Sequence, residues 1–315
     1  MPLNTSERLR DVPEIRGAQA PSLASWIPLS QLLPCWMAMT WLVLETSSYW
    51  TNRPELQFGW IVLLLSVYLI WEAWLVRPPL VLRWTVGAVT LAVAGLALAF
   101  VFQVYRMAFG TTPAALYFLG AAVMLIVGAN LLFAFGKTGL RRFAFAFGFL
   151  LVALPMPSII YLPVVTGLQA HVAAIDVSVM RMLGIPAQQV GSLIRLASGT
   201  VGIDEACSGI RSLQACVMAT LFIGYLTLKG PLFQVALLIA GILLAIVGNV
   251  IRSLVLSLVA NAHGISAVSS VHDSAGWSVL LFTASGIALA AYVLGRMEKL
   301  AALSQVHVAQ KTTHR

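Results

Sequence analysis

Charge is scarce in this sequence. Only 10% of the 315 residues are Asp, Glu, Lys or Arg, whereas a soluble domain carries about 25%. Hydrophobic residues make up 60%, and the mean hydropathy is +0.91. That balance excludes a soluble globular enzyme and points to a polytopic membrane protein. Cysteine is scarce too. Cys35, Cys207 and Cys216 are too few for a disulfide framework, and there is no Cys-x-x-Cys pair to hold a metal. No cofactor or metal site is expected. Long repeats and low-complexity segments are also missing. The net charge of +8 is no argument for a nucleic-acid partner, because the basic residues of a membrane protein gather in its cytoplasmic loops.

Long apolar runs are what the chain has in abundance. A membrane-crossing helix needs about 20 mostly apolar residues. Candidate spans lie at roughly 32–47, 58–76, 84–105, 113–136, 143–163, 207–228, 232–256 and 277–295. The expected fold class is all-α, a polytopic transmembrane helical bundle of about eight spans. The first run is short and carries Pro34 and Glu45. Ahead of it, residues 1–31 are polar and hold Pro2, Pro13, Pro21 and Pro28, so they read as a disordered cytoplasmic tail. No apolar run follows the start closely enough for a cleaved signal peptide, which makes the first span an uncleaved anchor. Residues 32–297 form the membrane domain, and 298–315 a cytoplasmic carboxy-terminal tail.

Loop charges choose the orientation. Arg77 and Arg83, then Lys137, Arg141 and Arg142, then Lys229, then Arg296 and Lys299 fall in alternate loops. Assigning them to the cytoplasm places both termini inside. The opposite loops hold Arg53, Arg106, Arg181 and Arg195, partly offset by Glu55 and Asp176. One outer connection, about 164–206, is long. Pro155 and Pro157 break the fifth span near its outer half. Residues 164–184 read as a half-apolar helix lying in the interface, which Pro186 ends. From Val190 to Ile203 the residues alternate loosely between Gly191, Ser198, Gly199 and Gly202, which predicts a short outer hairpin before the sixth span.

That hairpin delivers the chain to Asp204-Glu205-Ala206-Cys207-Ser208-Gly209-Ile210-Arg211-Ser212. Here a polar stretch turns into an apolar helix. The thiolate is the reactive form of cysteine, and a helix N-terminus or a nearby cation lowers a thiol's pKa. Cys207 in the first turn of the sixth span, with Arg211 at i+4 on the same face, is the candidate nucleophile. Cys216, nine residues on, faces away, and both it and Cys35 read as packing residues. Arg252 near the outer end of the seventh span is a charge inside the membrane, which marks a functional site by default. It can stabilise a tetrahedral oxyanion or the thiolate itself, or it can snorkel to the headgroups. Asn249, at i−3, is placed to orient its guanidinium.

His272, in the outer loop before the eighth span, suits general acid/base work, with Asp273 beside it. His263 and His171 compete for that role from the same side. Trp277 reads as an interfacial belt residue. Ser208 lacks the leading glycine of a membrane serine-protease motif. Asp204 and Glu205 either orient a substrate or solvate the loop. Cys207, Arg252 and His272 thus come from three distant elements to one membrane depth, a convergence that hydrophobicity does not require.

Taken together, Glu205-Ala206-Cys207-Ser208-Gly209-Ile210-Arg211-Ser212-Leu213, Asn249-Val250-Ile251-Arg252 and His272-Asp273-Ser274-Ala275-Gly276-Trp277 resemble the exosortase/archaeosortase family over about residues 58–297. The resemblance implies a multi-pass protein of the bacterial inner membrane with its active site on the periplasmic side. It implies a cysteine transpeptidase, with Cys207 as nucleophile, Arg252 as transition-state stabiliser and His272 as acid/base. Arg211, Asn249, Glu205 and Asp273 would support them. The implied partners are exported proteins with a C-terminal sorting signal, made of a Pro-Glu-Pro-type motif, a transmembrane helix and a basic tail, in a setting linked to exopolysaccharide. Membrane lipids surround the protein, and the acceptor nucleophile is not specified. The rival reading is a transporter or polysaccharide-assembly protein that binds an anionic lipid-linked substrate through Arg211, Arg252 and His272 without a covalent step. A binding protein tolerates Cys207→Ser; a thioester enzyme does not.

Overall fold

The structure is a computed structural model that describes residues 31–202 and 210–313. The expected amino-terminal tail lies outside the described residues except for Gln31. Helix α1 (Leu33–Asn52) begins with Pro34 in its first turn, where the missing amide costs nothing. It is fastened at both ends. Near its start, the Cys35 thiol donates to Asn130 Oδ1 at 3.0 Å, and Asn130 Nδ2 donates to the Gln31 carbonyl at 3.1 Å. Near its end, Tyr49 donates to the Thr111 carbonyl at 2.7 Å and Trp50 to the Ala153 carbonyl at 2.9 Å. Between these, Glu45 forms an ion pair with Arg106.

A short 3-10 turn (Pro54–Leu56) leads into α2 (Phe58–Leu75). Helix α3 (Val86–Phe109) is capped by the Thr85 hydroxyl, and α4 (Pro113–Gly148) by Thr112 with Pro113 at its first position. The two pack closely because Gly95 lets the backbones approach. A Cβ there would stand 2.8 Å from Ile126 Cγ1 and 3.1 Å from the Ala122 carbonyl oxygen.

Helix α4 is not straight. Gly136 has φ 67° and ψ −164°, a conformation open to glycine and poor for L side chains. The chain reverses there. A Cβ on Gly120 would lie 2.9 Å from Leu154 and 3.1 Å from Leu151, residues about 50 Å away along a straight helix. The reversal orphans the last carbonyls of the first arm. Amides of the extended stretch before α3 take two of them, Val81 bonding to Ala134 at 2.8 Å and Arg83 to Phe133 at 3.0 Å.

The sequence placed a loop after 136 and a fifth span at 143–163. Instead helix resumes directly after Gly136, because Lys137, Arg141 and Arg142 are good helix formers. It tightens into a 3-10 turn (Phe149–Ala153) and stops before Pro155 and Pro157. Helix α5 (Ser158–Met182) then begins earlier than the expected 164 and packs on the last turns of α7 and on the sheet. The expected hairpin is a three-stranded antiparallel meander of β1 (Ala187–Val190), β2 (Leu193–Leu196) and β3 (Gly199–Gly202). Ile194 and Leu196 point inward onto Val172, Ala173 and Met180, while Leu193 and Arg195 point out.

Helices α6 (Ile210–Thr227), α7 (Pro231–His263) and α8 (Val268–Thr313) complete the chain. Helix α7 lies between the other two. A Cβ on Gly241 would come within 2.3 Å of Thr220 in α6, and one on Gly248 within 2.9 Å of Val279 in α8. Arg77, Lys137, Lys229 and Arg296 collect at one end of the bundle. There the Glu298 carboxylate accepts from the backbone amides of Lys229 and Gly230. The sheet and α5 cover the opposite end. Both the described start, Gln31, and the far part of α8 emerge at the basic end. Among the described residues, seven helices are long and apolar enough to cross a membrane, one of them the folded stretch Pro113–Ala153; α1 is not among them.

Candidate active site

The antiparallel run of α6 and α7 brings Arg211 level with Arg252, and α8 brings His272 beside them. His272 is not in a loop. It lies in the first turns of α8, where Ser269, Ser270 and Ser274 bond back to carbonyls three residues earlier. Those serines disguise the helix start in the sequence, since they compete with helix elsewhere.

Arg252 Nη2 lies 2.9 Å from His272 Nε2, and His272 Nδ1 lies 3.1 Å from Asp273 Oδ1. A guanidinium only donates. The Nε2 atom must therefore accept, and the ring proton sits on Nδ1, directed at the Asp273 carboxylate. The bond fixes a neutral imidazole in one tautomer. The Asp273 side chain is 93% exposed, so its contribution to holding the ring is small. The guanidinium lies over Gly276, where an added Cβ would stand 3.7 Å from Nη2.

Below this pair a cavity of about 520 Å³ opens between α6, α7 and α8. Arg211, Asn249, Arg252, His272 and Asp273 line its polar end, and Ala215, Ala219 and Ala284 its apolar length. Trp277, 72% exposed, stands at its side. A second cavity, about 430 Å³, lies under β3 and reaches His272 from the other side.

Five of the site residues singled out in the sequence therefore converge: Arg211, Asn249, Arg252, His272 and Asp273. Cys207 and Glu205, with Asp204 and Ser208, lie outside the described residues; the described part of α6 starts at Ile210. No hydrogen bond joins Asn249 to the guanidinium, whose Nη2 bonds to His272. His171 bonds to the Gly167 carbonyl of its own helix, His263 ends α7, and neither lines the cavity. Cys216 is buried against Ala245 and Ile287, as a packing residue is, yet it also borders the cavity.

Sequence reasoning missed Asp176. It is fully buried, and its Oδ2 accepts from Ser253 at 2.5 Å, tying α5 to α7 one residue from Arg252. The signal was a carboxylate in a half-apolar helix, read only as an offset to arginine charge. Among the described residues no group of three His, Cys, Asp or Glu side chains is arranged to hold a metal ion.

A multi-pass helical membrane protein with an arginine–histidine pair at the head of a cavity between three of its helices is the class these observations define. Residues 50–302 match the transmembrane exosortase family, and the chain belongs to it. No curated protein and no solved structure matches the chain.

Proposed function

We propose that this protein is a membrane-embedded cysteine peptidase and transpeptidase that cleaves the C-terminal sorting signals of exported proteins. The observation that carries the reading is the Arg252–His272 bond at the head of the cavity, next to α6, which Cys207 precedes in the sequence. Membership of the transmembrane exosortase family supports the same chemistry.

The Cys207 thiol gives its proton to His272 Nε2, the sulfur attacks the carbonyl carbon of the scissile peptide bond, and the developing oxyanion is met by Arg252. The C–N bond breaks, the amine leaves with a proton delivered by His272, and a thioester remains on Cys207. An amine or hydroxyl acceptor then takes the acyl group and restores the thiol; water in its place gives plain proteolysis. The Arg–His bond adds an order to these events. Once Nε2 carries a proton it can no longer accept from Arg252. Loading the acid therefore releases the guanidinium toward the oxyanion.

The substrate is an exported protein ending in a Pro-Glu-Pro-type motif, a transmembrane helix and a basic tail. Its helix docks along the groove between α6 and α8. The enzyme crosses a bacterial inner membrane eight times, with the basic end and both termini in the cytoplasm and the site facing outward. Arg77, Lys137, Lys229 and Arg296 at one end support that orientation. The role in sorting is linked to surface or exopolysaccharide proteins.

Co-expression with an epitope-tagged substrate tests the reading. Processing by wild type but not by Cys207→Ala supports it. Equal processing by both removes Cys207 as nucleophile. A protein that keeps its function as Cys207→Ser belongs to the non-covalent alternative, in which Arg211 and Arg252 bind an anionic lipid-linked substrate.

A further inference from the structure

Asn249 stands three residues before Arg252 on α7, about 4.5 Å deeper along the helix axis. It is 4% exposed and lines the cavity. Its side-chain amide makes no hydrogen bond to any described residue. Thr283, which lines the same cavity, donates to the Val279 and Leu280 carbonyls of its own helix. Toward the polar end Asn249 is followed by Arg211, Arg252 and His272; away from it the lining turns to Ala215, Met218, Ala219 and Cys216. An amide brings two donor protons and a carbonyl acceptor. Leaving it without a partner where the cavity turns apolar is unfavourable. An amide so placed points to a ligand that supplies the partner.

The chemistry of the partner follows from what a peptide can offer inside a membrane. Within a helix the backbone N–H and C=O groups are spent on residues four positions away. Only an extended or unwound stretch has both free, and leaving them free in an apolar setting is itself costly. Asn249 answers both needs. Its Oδ1 accepts from a substrate N–H, and its Nδ2 donates to a substrate C=O.

We infer that Asn249 binds the backbone of the substrate segment entering the membrane and holds it extended for about one helical turn below the cleaved bond. The inference rests on the peptidase reading above and assigns the conformation in which that site takes its substrate. A peptide bond inside a regular helix offers no approach to a thiolate, so unwinding is part of recognition. Ala215, Ala219 and Ala284 further down leave room for the segment to return to helix. Segments that unwind easily at this point depend less on Asn249.

The test uses the full chain in lipid nanodiscs and two synthetic single-span peptides, both with a Pro-Glu-Pro motif and a basic tail. One carries Leu and Ala in the first turn after the motif, the other Gly and Pro. Each holds a photo-crosslinker in that turn. In a Cys207→Ala background, which reads docking without turnover, adding Asn249→Leu is expected to lower crosslinking of the Leu/Ala peptide about tenfold. The Gly/Pro peptide should lose clearly less. Asn249→Leu should leave Tm unchanged or raise it, because it removes a polar group that bonds to no described residue. Equal crosslinking with and without Asn249→Leu overturns the inference. So does a drop in Tm with equal loss for both peptides, which marks a merely structural residue. If wild type cleaves neither peptide while Asn249-dependent crosslinking persists, the peptidase reading fails and the docking inference stands.

Discussion

Arg252 Nη2 and His272 Nε2 meet at 2.9 Å across the α7–α8 interface, and the bond exists only while the imidazole nitrogen has a free lone pair. The pair behaves as one unit. Arg252→Lys keeps the charge and loses the planar fork. It is expected to lower kcat roughly a hundredfold, as loss of a single oxyanion donor does. His272→Ala should cost about 10²–10⁴-fold. The double variant should be far less damaged than the product of the two, which a double-mutant cycle on substrate processing measures. Simple multiplication would mean that the two side chains act separately.

The Glu45–Arg106 ion pair fastens α1 to α3, and Thr111 Oγ1 adds a bond to the same carboxylate at 3.3 Å. Removing one partner leaves a lone charge in the bundle. Because the Arg106 side chain is 39% exposed, Glu45→Ala should cost about 1–2 kcal/mol, below the range for fully buried pairs. Adding Arg106→Ala should recover part of that loss. Thermal unfolding in detergent reads both.

Gly136 carries the reversal of α4 in a left-handed conformation, with only Val81 Cγ2, at 3.9 Å, near a substituent. Gly136→Ala should therefore cost about 1–2 kcal/mol through the backbone alone. Gly128 is the control. It is helical, and an added Cβ there meets ordinary contacts at 3.5 and 3.7 Å. Gly128→Ala should be neutral or slightly stabilising. A fall in Tm for Gly136→Ala with none for Gly128→Ala is the expected pattern.

The orientation is checked by labelling. Single cysteines at Lys229 and Lys137 should react with a membrane-impermeant maleimide only after the cells are opened. Cysteines at Gln188 and Arg195 should react in intact spheroplasts. Label at Lys229 in intact spheroplasts would invert the topology.

Most of the bundle is legible as long apolar runs, because lipid demands continuous helices. The arginine and the histidine are legible for the same reason, since charge and imidazole at membrane depth serve no packing purpose. What escapes is set by tertiary contact. Gly136 looks like one glycine among 24, and its reversal shows only where Gly120 meets Leu154. The three strands are four residues each, too short for alternation to mark them. The start of α8 hides behind serines. Asn249 reads as a helper of Arg252 from its spacing. That its amide bonds to no described residue appears only once α6 and α8 are seen beside it.

The central claim is that Cys207 carries the acyl group. The most direct measurement is mass spectrometry of the purified wild-type protein incubated with a single-span substrate peptide, quenched in acid, with and without hydroxylamine. An adduct on the peptide containing Cys207, removed by hydroxylamine and missing from Cys207→Ala, is the predicted result. Turnover by wild type and Cys207→Ala alike, with no such adduct, would contradict it.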